Sequence, residues 1–330
     1  MSTESVSESR GSTRRRQLFE LFSRNLSNVK KHPRIQVQPD FDEGYICPIC
    51  FKLFDRKALS TEYDDHLTLE DVPPKSLGGR VVALTCKICN NWAGAQLESH
   101  LPGKLRADAF LAGVPNIEMD ARFRPDPSVD LTATIRLMPG GIDIRYDPDR
   151  SNPRDIDKLH ELEKSGDISS INVQVLLGYK ANCPEVALLR IAYLLAFARF
   201  GYGFLVNGCL MRVRHQIQNP AEKTLADWGI LQTEFPDSAV GISVICEPRD
   251  LQCFLVVFDL NTGVGRSRYG VVLPGPTQPG FSIYDRMAEL KRVKSKVPIE
   301  HRIRVIPEED YLQDPQLAFA SHHYWNDFRE

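Results

Sequence analysis

Four of the eight cysteines form two closely spaced pairs in the first third of the chain. Cys47 and Cys50 form one C-x2-C pair, Cys86 and Cys89 form a second, and the 35 residues 51–85 separate them. Two such pairs of soft thiolate ligands complete a tetrahedral site of the kind that binds Zn²⁺. Because four cysteines leave no open position on the metal, we predict a structural zinc and expect any chemistry to come from other residues.

The residues around the two pairs predict the elements that position them. Residues 44–46 lead into the first pair and residues 51–54 lead out of it, which indicates a knuckle at a hairpin. The apolar run Val81–Leu84 precedes the second pair, and residues 90–101 have a helical pattern. A knuckle, a hairpin and a helix that carries the second ligand pair are typical of a treble clef.

The segment between and after the pairs resembles the HNH endonuclease family, in the form that carries a four-cysteine structural zinc. The resemblance covers residues 44–103 and rests on two stretches. These are His66-Leu67-Thr68-Leu69-Glu70-Asp71-Val72-Pro73-Pro74-Lys75-Ser76-Leu77-Gly78-Gly79 and Leu84-Thr85-Cys86-Lys87-Ile88-Cys89-Asn90-Asn91. The resemblance implies a ββα-metal fold and hydrolysis of phosphodiester bonds, in which a histidine activates water and a divalent ion stabilises the scissile phosphate and the leaving oxygen.

Asp71 stands where the family has its general-base histidine. A carboxylate with an ordinary pKa of about 3.9 is a weak base at neutral pH, but it is a good ligand for Mg²⁺ or Mn²⁺. Glu70 adjoins Asp71, so two carboxylates lie where the catalytic cation would bind. The resemblance also implies that Asn90 or Asn91 supports this cation from the last position of the motif.

Three interpretations of the reaction centre stay open. Glu70 and Asp71 hold the cation while His66 or His100 supplies the base, or Asp71 itself orients or deprotonates the water, or the site is inactive. Each residue also has an ordinary structural alternative. These alternatives are a turn cap for Glu70 and Asp71, a surface position for His66, a helix C-terminal cap for His100, and a hydrogen bond to the zinc loop for Asn90.

Local charge indicates where nucleic acid would bind, because the net charge of the whole chain is only −2. Lys75 and Arg80 are candidates for phosphate contacts, although a plain loop fits them equally well. Residues 42–103 carry six Lys/Arg and nine Asp/Glu (6 − 9 = −3), whereas residues 1–34 carry eight Lys/Arg and three Glu (8 − 3 = +5). We therefore expect phosphate binding from the N-terminal arm and from Arg286–Arg304. The alternative for the arm is a solvated tail with a docking helix, and the alternative for Arg286–Arg304 is a solvated helix face.

The predicted fold class is α+β, with a small zinc-bound treble-clef (ββα-metal) module and a larger α+β domain that has an antiparallel sheet and a buried central helix. Composition and turn signals divide the chain into five segments. They are a polar and basic tail with an amphipathic helix (1–34), the HNH-like zinc module (42–103), a connector (104–130), an α+β accessory domain (131–306) and a C-terminal tail (307–330).

Two hairpins and one apolar helix predict the accessory domain. The predicted hairpin strands are 132–138 with 142–146 and 242–246 with 252–260. A capping box at 182–185 opens a helix that runs to Phe200 and is apolar nearly all round, which predicts the buried central helix. After this helix, Arg212, Arg214 and His215 suggest a basic cluster, but alternation in Met211–Ile217 suits one face of an exposed strand equally well. We identify no catalytic motif in this domain.

The first 16 residues lack an apolar signal region, and the chain has no run of 18 apolar residues. We therefore expect a cytoplasmic protein with no membrane partner, whose cysteines are reduced or bound to metal.

The resemblance and the residues together predict a metal-dependent HNH-like endonuclease that hydrolyses phosphodiester bonds of nucleic acid, with DNA as the expected substrate. Its cofactors would be structural Zn²⁺ and catalytic Mg²⁺ or Mn²⁺. Members of this family often occur in bacterial defence systems, so the resemblance also implies a role in bacterial defence. The first alternative is a catalytically degenerate treble-clef module that binds nucleic acid or a protein partner. A second alternative is a regulatory protein whose α+β domain senses a ligand.

Overall fold

The computed structural model of the chain describes residues 9–166, 168, 171–231, 233–262, 265–276, 282–293 and 301–326. These residues form helices and antiparallel sheets. The helices are α1 (Arg10–Lys30), α2 (Lys87–Gln96), α3 (Leu101–Leu111), α4 (Pro153–Ser165), α5 (Cys183–Phe200), α6 (Tyr202–Leu205), α7 (Leu210–Gln218), α8 (Ile283–Val293) and α9 (Ala320–Asn326). The strands are β1 (Tyr45–Ile46), β2 (Leu53–Phe54), β3 (Leu67–Val72), β4 (Arg80–Cys86), β5 (Glu118–Arg124), β6 (Leu131–Met138), β7 (Gly141–Tyr146), β8 (Asn172–Val175), β9 (Ile230–Leu231), β10 (Gly241–Glu247), β11 (Cys253–Thr262), β12 (Gly265–Leu273) and β13 (Arg302–Val305).

The chain divides into two compact units. The first comprises Met1–Glu98 together with Glu185–Glu330, and the second comprises Ser99–Pro184. The second unit is therefore an insertion in the sequence of the first. None of the described helices combines the length and the apolar character needed to cross a membrane.

The N-terminal part of the first unit consists of two short hairpins and two helices. Strand β1 pairs with β2 and strand β3 pairs with β4, both antiparallel, and α2 begins directly after β4. Helix α1 buries Leu18, Phe22, Leu26 and Val29. These positions recur every three or four residues, so they form one apolar stripe along the helix.

An aromatic cluster joins α1, β1 and α5 into one core. The rings of Phe22 and Phe197 stack with centroids 4.7 Å apart, and Tyr45 meets Phe22 edge-on at 5.8 Å. Tyr202 meets Tyr45 edge-on at 6.1 Å. All four side chains are buried. Helix α5 therefore belongs to the same core as the hairpin that leads into the first cysteine pair.

The C-terminal part of the first unit contains a five-stranded antiparallel sheet in the order β13-β10-β11-β12-β9. The central strand β11 is buried from Cys253 to Phe258. Phe254 on this strand packs against Phe200 and Phe204 at centroid distances of 5.7 and 5.9 Å, and against Trp325 at 5.3 Å. Helices α5, α6 and α9 thus cover the sheet at Phe254.

The second unit is a four-stranded antiparallel sheet in the order β7-β6-β5-β8, with helices α3 and α4. Two small apolar clusters stabilise it. One cluster contains Ala107, Phe110, Ile117, Met119, Ala121 and Ile135, and the other contains Val129, Leu131 and Leu159. Both clusters connect a helix to the sheet, since Phe110 lies on α3 and Leu159 lies on α4.

The structure confirms both predicted hairpins, which are β6–β7 and β10–β11, and it confirms the buried helix α5. The exposed strand predicted at Met211–Ile217 is wrong, because these residues lie in α7. The buried residues of this helix include Leu210, Val213 and Ile217, whose spacing fits 3.6 residues per turn rather than a strand.

The observed division of the chain differs from the predicted one. Residues 131–306, expected as one accessory domain, extend over both units, because α5 packs into the core of the first unit. The segment 104–130, expected as a connector, contains most of α3 and all of β5. In the expected C-terminal tail, Tyr311 and Trp325 are buried. Residues 1–8 of the N-terminal tail and residues 327–330 lie outside the described residues.

Candidate metal centre and neighbouring carboxylates

The first cysteine pair lies in a tight turn between β1 and β2. The backbone N–H of Phe51 donates to the carbonyl oxygen of Cys47 (2.9 Å), and the N–H of Cys47 donates to the carbonyl oxygen of Lys52 (3.0 Å). Phe51 has a φ of 62°, in the left-handed region. These bonds close the turn, so the sulfurs of Cys47 and Cys50 are brought to the same side.

The second pair lies where β4 meets α2. Cys86 is the last residue of β4 and the N-cap of α2, and Cys89 lies in the first turn of this helix. The partial positive charge at a helix N-terminus favours the thiolate form of a cysteine. Asp65 connects the two pairs, because its carboxylate accepts hydrogen bonds from Lys52 Nζ (2.7 Å) and from the N–H of Ile88 (3.3 Å).

The four sulfurs of Cys47, Cys50, Cys86 and Cys89 lie within 4.8 Å of one another. The Sγ atoms of Cys50 and Cys86 are 3.8 Å apart, and all four cysteines are free of disulfides. Four sulfurs at about 2.3 Å from a tetrahedral Zn²⁺ would lie about 3.8 Å apart, so the cluster has the dimensions of such a site. The cluster can therefore hold a metal ion such as zinc, and four protein ligands would leave no position for substrate.

Helices distant in the sequence hold the first cysteine turn from outside. The hydroxyl of Tyr193 donates to the carbonyl oxygen of Pro48 (2.8 Å), and Gln218 Nε2 donates to the carbonyl oxygen of Ile49 (2.8 Å). The guanidinium of Arg214 lies 3.6 Å from the centroid of the Phe51 ring. The metal centre is therefore built into the first unit and is not a module that stands apart from it.

A buried charge cluster lies beside the metal centre. Nη1 of Arg190 on α5 is 2.9 Å from Glu70 Oε1, and the two side chains are 1% and 2% exposed. The same nitrogen donates to Glu98 Oε1 (2.5 Å). The second carboxylate oxygen of Glu70 accepts a hydrogen bond from the Thr85 hydroxyl (2.5 Å). Both oxygens of Glu70 are thus engaged inside the protein.

Glu98 is the carboxylate whose environment is most clearly altered in this cluster. Its burial raises its pKa above the ordinary range, the charge of Arg190 opposes that rise, and the charges of Glu70 and Asp71 add to it. Within the described part of the chain, the Nε and Nη2 atoms of Arg190 are buried without a hydrogen-bond partner. Two carboxylates, those of Glu70 and Glu98, therefore share the single nitrogen Nη1 of Arg190.

Asp71 differs from Glu70 although the two are adjacent. The β3–β4 register shifts between them, so that Glu70 pairs with Ala83 whereas Asp71 pairs with Val81. Glu70 is buried and Asp71 is only half-buried. Of the two carboxylates predicted to bind a cation together, only Asp71 reaches the surface.

The remaining predicted residues fall into different environments. Asn90 Nδ2 donates to Thr68 Oγ1 (2.8 Å) and to the carbonyl oxygen of Leu69 (3.3 Å), which fastens α2 to β3. Asn91 is exposed. Nδ1 of His66, which is buried, lies 2.7 Å from the carbonyl oxygen of Tyr63.

The positions of the other three predicted site residues are simpler. Lys75 and Arg80 are exposed, one in the turn between β3 and β4 and the other at the start of β4. His100 belongs to the second unit and is the N-cap of α3, so it does not end the helix that follows the second cysteine pair. That helix, α2, already ends at Gln96.

Sequence reasoning missed Glu98 and Arg190 as members of the charge cluster. One signal was available for Arg190, because it is a lone charge in the middle of the apolar segment 186–198. A charge at such a position is rarely buried unless it is paired. The identity of its partners was not available from local spacing, since Arg190 and Glu98 are 92 residues apart.

Comparison of the chain with protein-family models, curated proteins and solved structures found no match.

Proposed function

We propose that the chain is a metal-dependent endonuclease of the HNH type, with nucleic acid, in the first place DNA, as its substrate. The knuckle, the hairpin β3–β4 and helix α2 would form a treble clef around a structural Zn²⁺. The observation that carries the proposal is a group of carboxylates beside the four cysteines, in which Glu70 and Glu98 both pair with Arg190 and the charge of Asp71 acts on Glu98. Burial and neighbouring charge raise the pKa of Glu98, and a carboxylate altered in this way is frequent at functional sites.

In this proposal Glu70 and Asp71 have different roles. Glu70 is a positioning residue, since both of its oxygens are engaged by Arg190 and Thr85. Asp71 is the half-buried carboxylate open to a cation. Mg²⁺ in protein sites keeps several waters and uses one or two carboxylates together with substrate phosphates, so Asp71 with a phosphate oxygen suffices to place it. The cation would stabilise the charge on the scissile phosphate and on the leaving oxygen.

Glu98 is the best candidate for the base that accepts a proton from the attacking water. A base works best when its pKa is near the working pH, and burial together with the charges of Glu70 and Asp71 raises the pKa of Glu98. His66 is less suitable. It lies just before β3 and five residues before Asp71, which is about 16 Å along an extended chain.

A second candidate function is a zinc-stabilised module that binds nucleic acid or a protein without cleaving it. The ion pair between Glu70 and Arg190 favours this alternative, because it removes one acidic residue of the motif from contact with a cation. Asp71 in place of the histidine favours it too. In the described residues, the four cysteines are the one group of three or more His, Cys, Asp or Glu side chains close enough to hold a metal by themselves.

Nicking of supercoiled plasmid separates the two candidates. The full chain is assayed with Mg²⁺, with Mn²⁺ and with EDTA, beside Asp71→Asn and Glu98→Gln. Asp64→Asn is the matched control, since Asp64 is an exposed carboxylate of the same hairpin region. We expect cation-dependent nicking that falls at least about 100-fold in both site variants and is unchanged in the control. Glu98→Gln removes the proposed base, and Asp71→Asn removes the proposed ligand of the cation.

The measured zinc content of each variant shows whether the metal centre is intact. Nicking that survives in Asp71→Asn and Glu98→Gln would refute the proposed site. Absence of nicking on DNA and RNA with every cation, in protein that retains its zinc, would favour the binding module.

A further inference from the structure

A groove in the first unit has no role in the proposed cleavage. It encloses about 740 Å³ and lies between α1, the start of β4, α5 and the strands β10 and β11. A volume of this size falls within the usual range for small-molecule sites of roughly 300–1,000 Å³.

The walls of the groove are aliphatic. Its lining includes side chains that are only partly buried or are exposed, which are Leu21, Val82, Leu195, Ala198, Val240 and Val305. Exposed aliphatic side chains that gather in a concave surface favour an apolar ligand. Among the described residues, Phe258 is the one aromatic side chain that lines the groove, and it is 4% exposed. It offers no open ring face on which a nucleic-acid base could stack.

Three arginines from three different elements also line the groove. Arg14 comes from α1, Arg80 from β4 and Arg199 from α5. Arg14 and Arg80 are exposed, and neither has an acidic partner within the described residues. Arg199 donates to the carbonyl oxygen of Pro307 (2.6 Å), which leaves its charge uncompensated by any described carboxylate.

Two acidic side chains line the same groove, and they do not cancel this charge. Asp259 is already paired with Arg268, at 2.7 Å between Oδ1 and Nε. Glu308 is the second acid and is exposed. Three arginines against one uncompensated carboxylate leave an excess of positive charge beside the aliphatic walls. The lining is therefore complementary to a molecule with an apolar body and an anionic head.

We propose that this groove binds a single amphipathic anion, an aliphatic chain that carries a phosphate or carboxylate group. Leu21, Val82, Leu195 and Ala198 would cover the chain, and the guanidinium groups would bind the head. Arginine suits this role because its planar fork donates two parallel hydrogen bonds to a phosphate or carboxylate. The proposal does not depend on the nuclease activity, since none of these side chains belongs to the charge cluster at Arg190.

Titration calorimetry on the full chain tests the groove with decyl phosphate, kept below its micelle-forming concentration. Decanol has the same chain without the charge, and inorganic phosphate has the charge without the chain. We expect one decyl phosphate to bind per chain, with a Kd at least about tenfold lower than that of either control. Equal binding of decanol would show that the arginines do not recognise the head and would overturn the proposal.

Three variants locate the site. The double variant Arg14→Gln with Arg80→Gln should weaken decyl phosphate binding at least about tenfold, and so should Ala198→Phe, which fills the groove. Arg24→Gln is the matched control on α1, exposed and outside the groove, and should leave the Kd unchanged. The arginine variants change exposed residues, so they decide the matter if Ala198→Phe does not fold. Unchanged binding in the double variant would overturn the proposal.

Two further ligands separate the proposal from other occupants. The first is a short single-stranded oligonucleotide. If it binds in place of decyl phosphate and loses binding in the double variant, the groove is a binding site for nucleic acid. Binding to vesicles that contain an anionic phospholipid, without binding of monomeric decyl phosphate, would make it a membrane contact. Either result would refute the amphipathic-anion site.

Discussion

Arg190 and Glu70 form an ion pair that is closed off from solvent, with 2.9 Å between Nη1 and Oε1 and side-chain exposures of 1% and 2%. The pair connects α5 to β3, two elements that are far apart in the sequence. Charges removed from water in this way are tolerated only when both partners are present, because each alone keeps its desolvation cost without compensation. The pair therefore makes the position of β3 depend on α5.

Removal of both partners should cost less than the two single removals added together. Arg190→Met leaves Glu70 and Glu98 without a counter-ion, and we expect the free energy of unfolding to fall by about 3–5 kcal/mol. Glu70→Gln leaves Arg190 with Glu98 and should cost about 1–3 kcal/mol. The double variant should lose less than the sum of the two, since the residues are in direct contact.

Urea unfolding of the four proteins measures this coupling. Arg24→Met is the matched control, because Arg24 is exposed on α1 and its replacement should change the free energy of unfolding by less than about 0.5 kcal/mol. Losses that simply add in the double variant would show that the two side chains do not stabilise each other.

Loss of the metal should destabilise the whole first unit, and its effect should not be confined to the hairpins that carry the cysteines. Cys47→Ser removes one of four ligands, and the turn it releases is held by Tyr193 and Gln218. We expect the zinc content to drop and the melting temperature to fall by several degrees, since each kcal/mol shifts it by about 2–4 °C in chains of about 150–250 residues. Elemental analysis and thermal unfolding measure both quantities.

Cys209→Ser is the matched control for this prediction, because Cys209 lies outside the four-cysteine cluster. It should keep the full zinc content. A protein that melts at the same temperature with and without a strong chelator would show that the cysteines serve another purpose.

Local patterns were enough to find the cysteine cluster, since each C-x2-C pair fixes two ligands within one turn. The hairpin β6–β7 was found for the same reason, since only residues 139–141 separate its two predicted strands. The charge cluster was not found, because its members meet only after α5 packs against β3. Spacing along the chain also cannot show that Glu70 points inward, since the shift of register beside Asp71 depends on β4.

The altered pKa of Glu98 predicts a direction for the pH dependence of stability. Burial raises this pKa above its ordinary value of 4.5, with the charges of Glu70 and Asp71 adding to the rise, so the native state binds the proton more tightly than the unfolded state does. The contribution of this group is therefore fully present below pH 4.5 and is lost as the pH rises through the pKa of the folded state.

Glu98→Gln should remove this dependence. We expect the difference in unfolding free energy between Glu98→Gln and the natural protein to shift in favour of the variant as the pH rises from 4.5 toward neutrality. Urea unfolding at a series of pH values measures it, with Glu62→Gln, an exposed residue, as the control. A shift in the opposite direction would mean that Arg190 lowers the pKa of Glu98 more than burial raises it.

Asn90 and Asn91 offer a matched pair for deciding what the asparagines do. Asn90 Nδ2 donates to Thr68 Oγ1 at 2.8 Å and to the carbonyl oxygen of Leu69 at 3.3 Å, whereas Asn91 is exposed. Asn90→Ala should lower the free energy of unfolding by about 1–2 kcal/mol, because it removes these hydrogen bonds between α2 and β3. Asn91→Ala should change it by less than about 0.5 kcal/mol.

If Asn90 acts by fastening the helix, plasmid nicking at a temperature where the variant is fully folded should be close to that of the natural protein. Nicking that is lost in folded Asn90→Ala would instead assign the amide to the reaction centre, and an equal loss of stability in both variants would rule out the special role of the bond to Thr68.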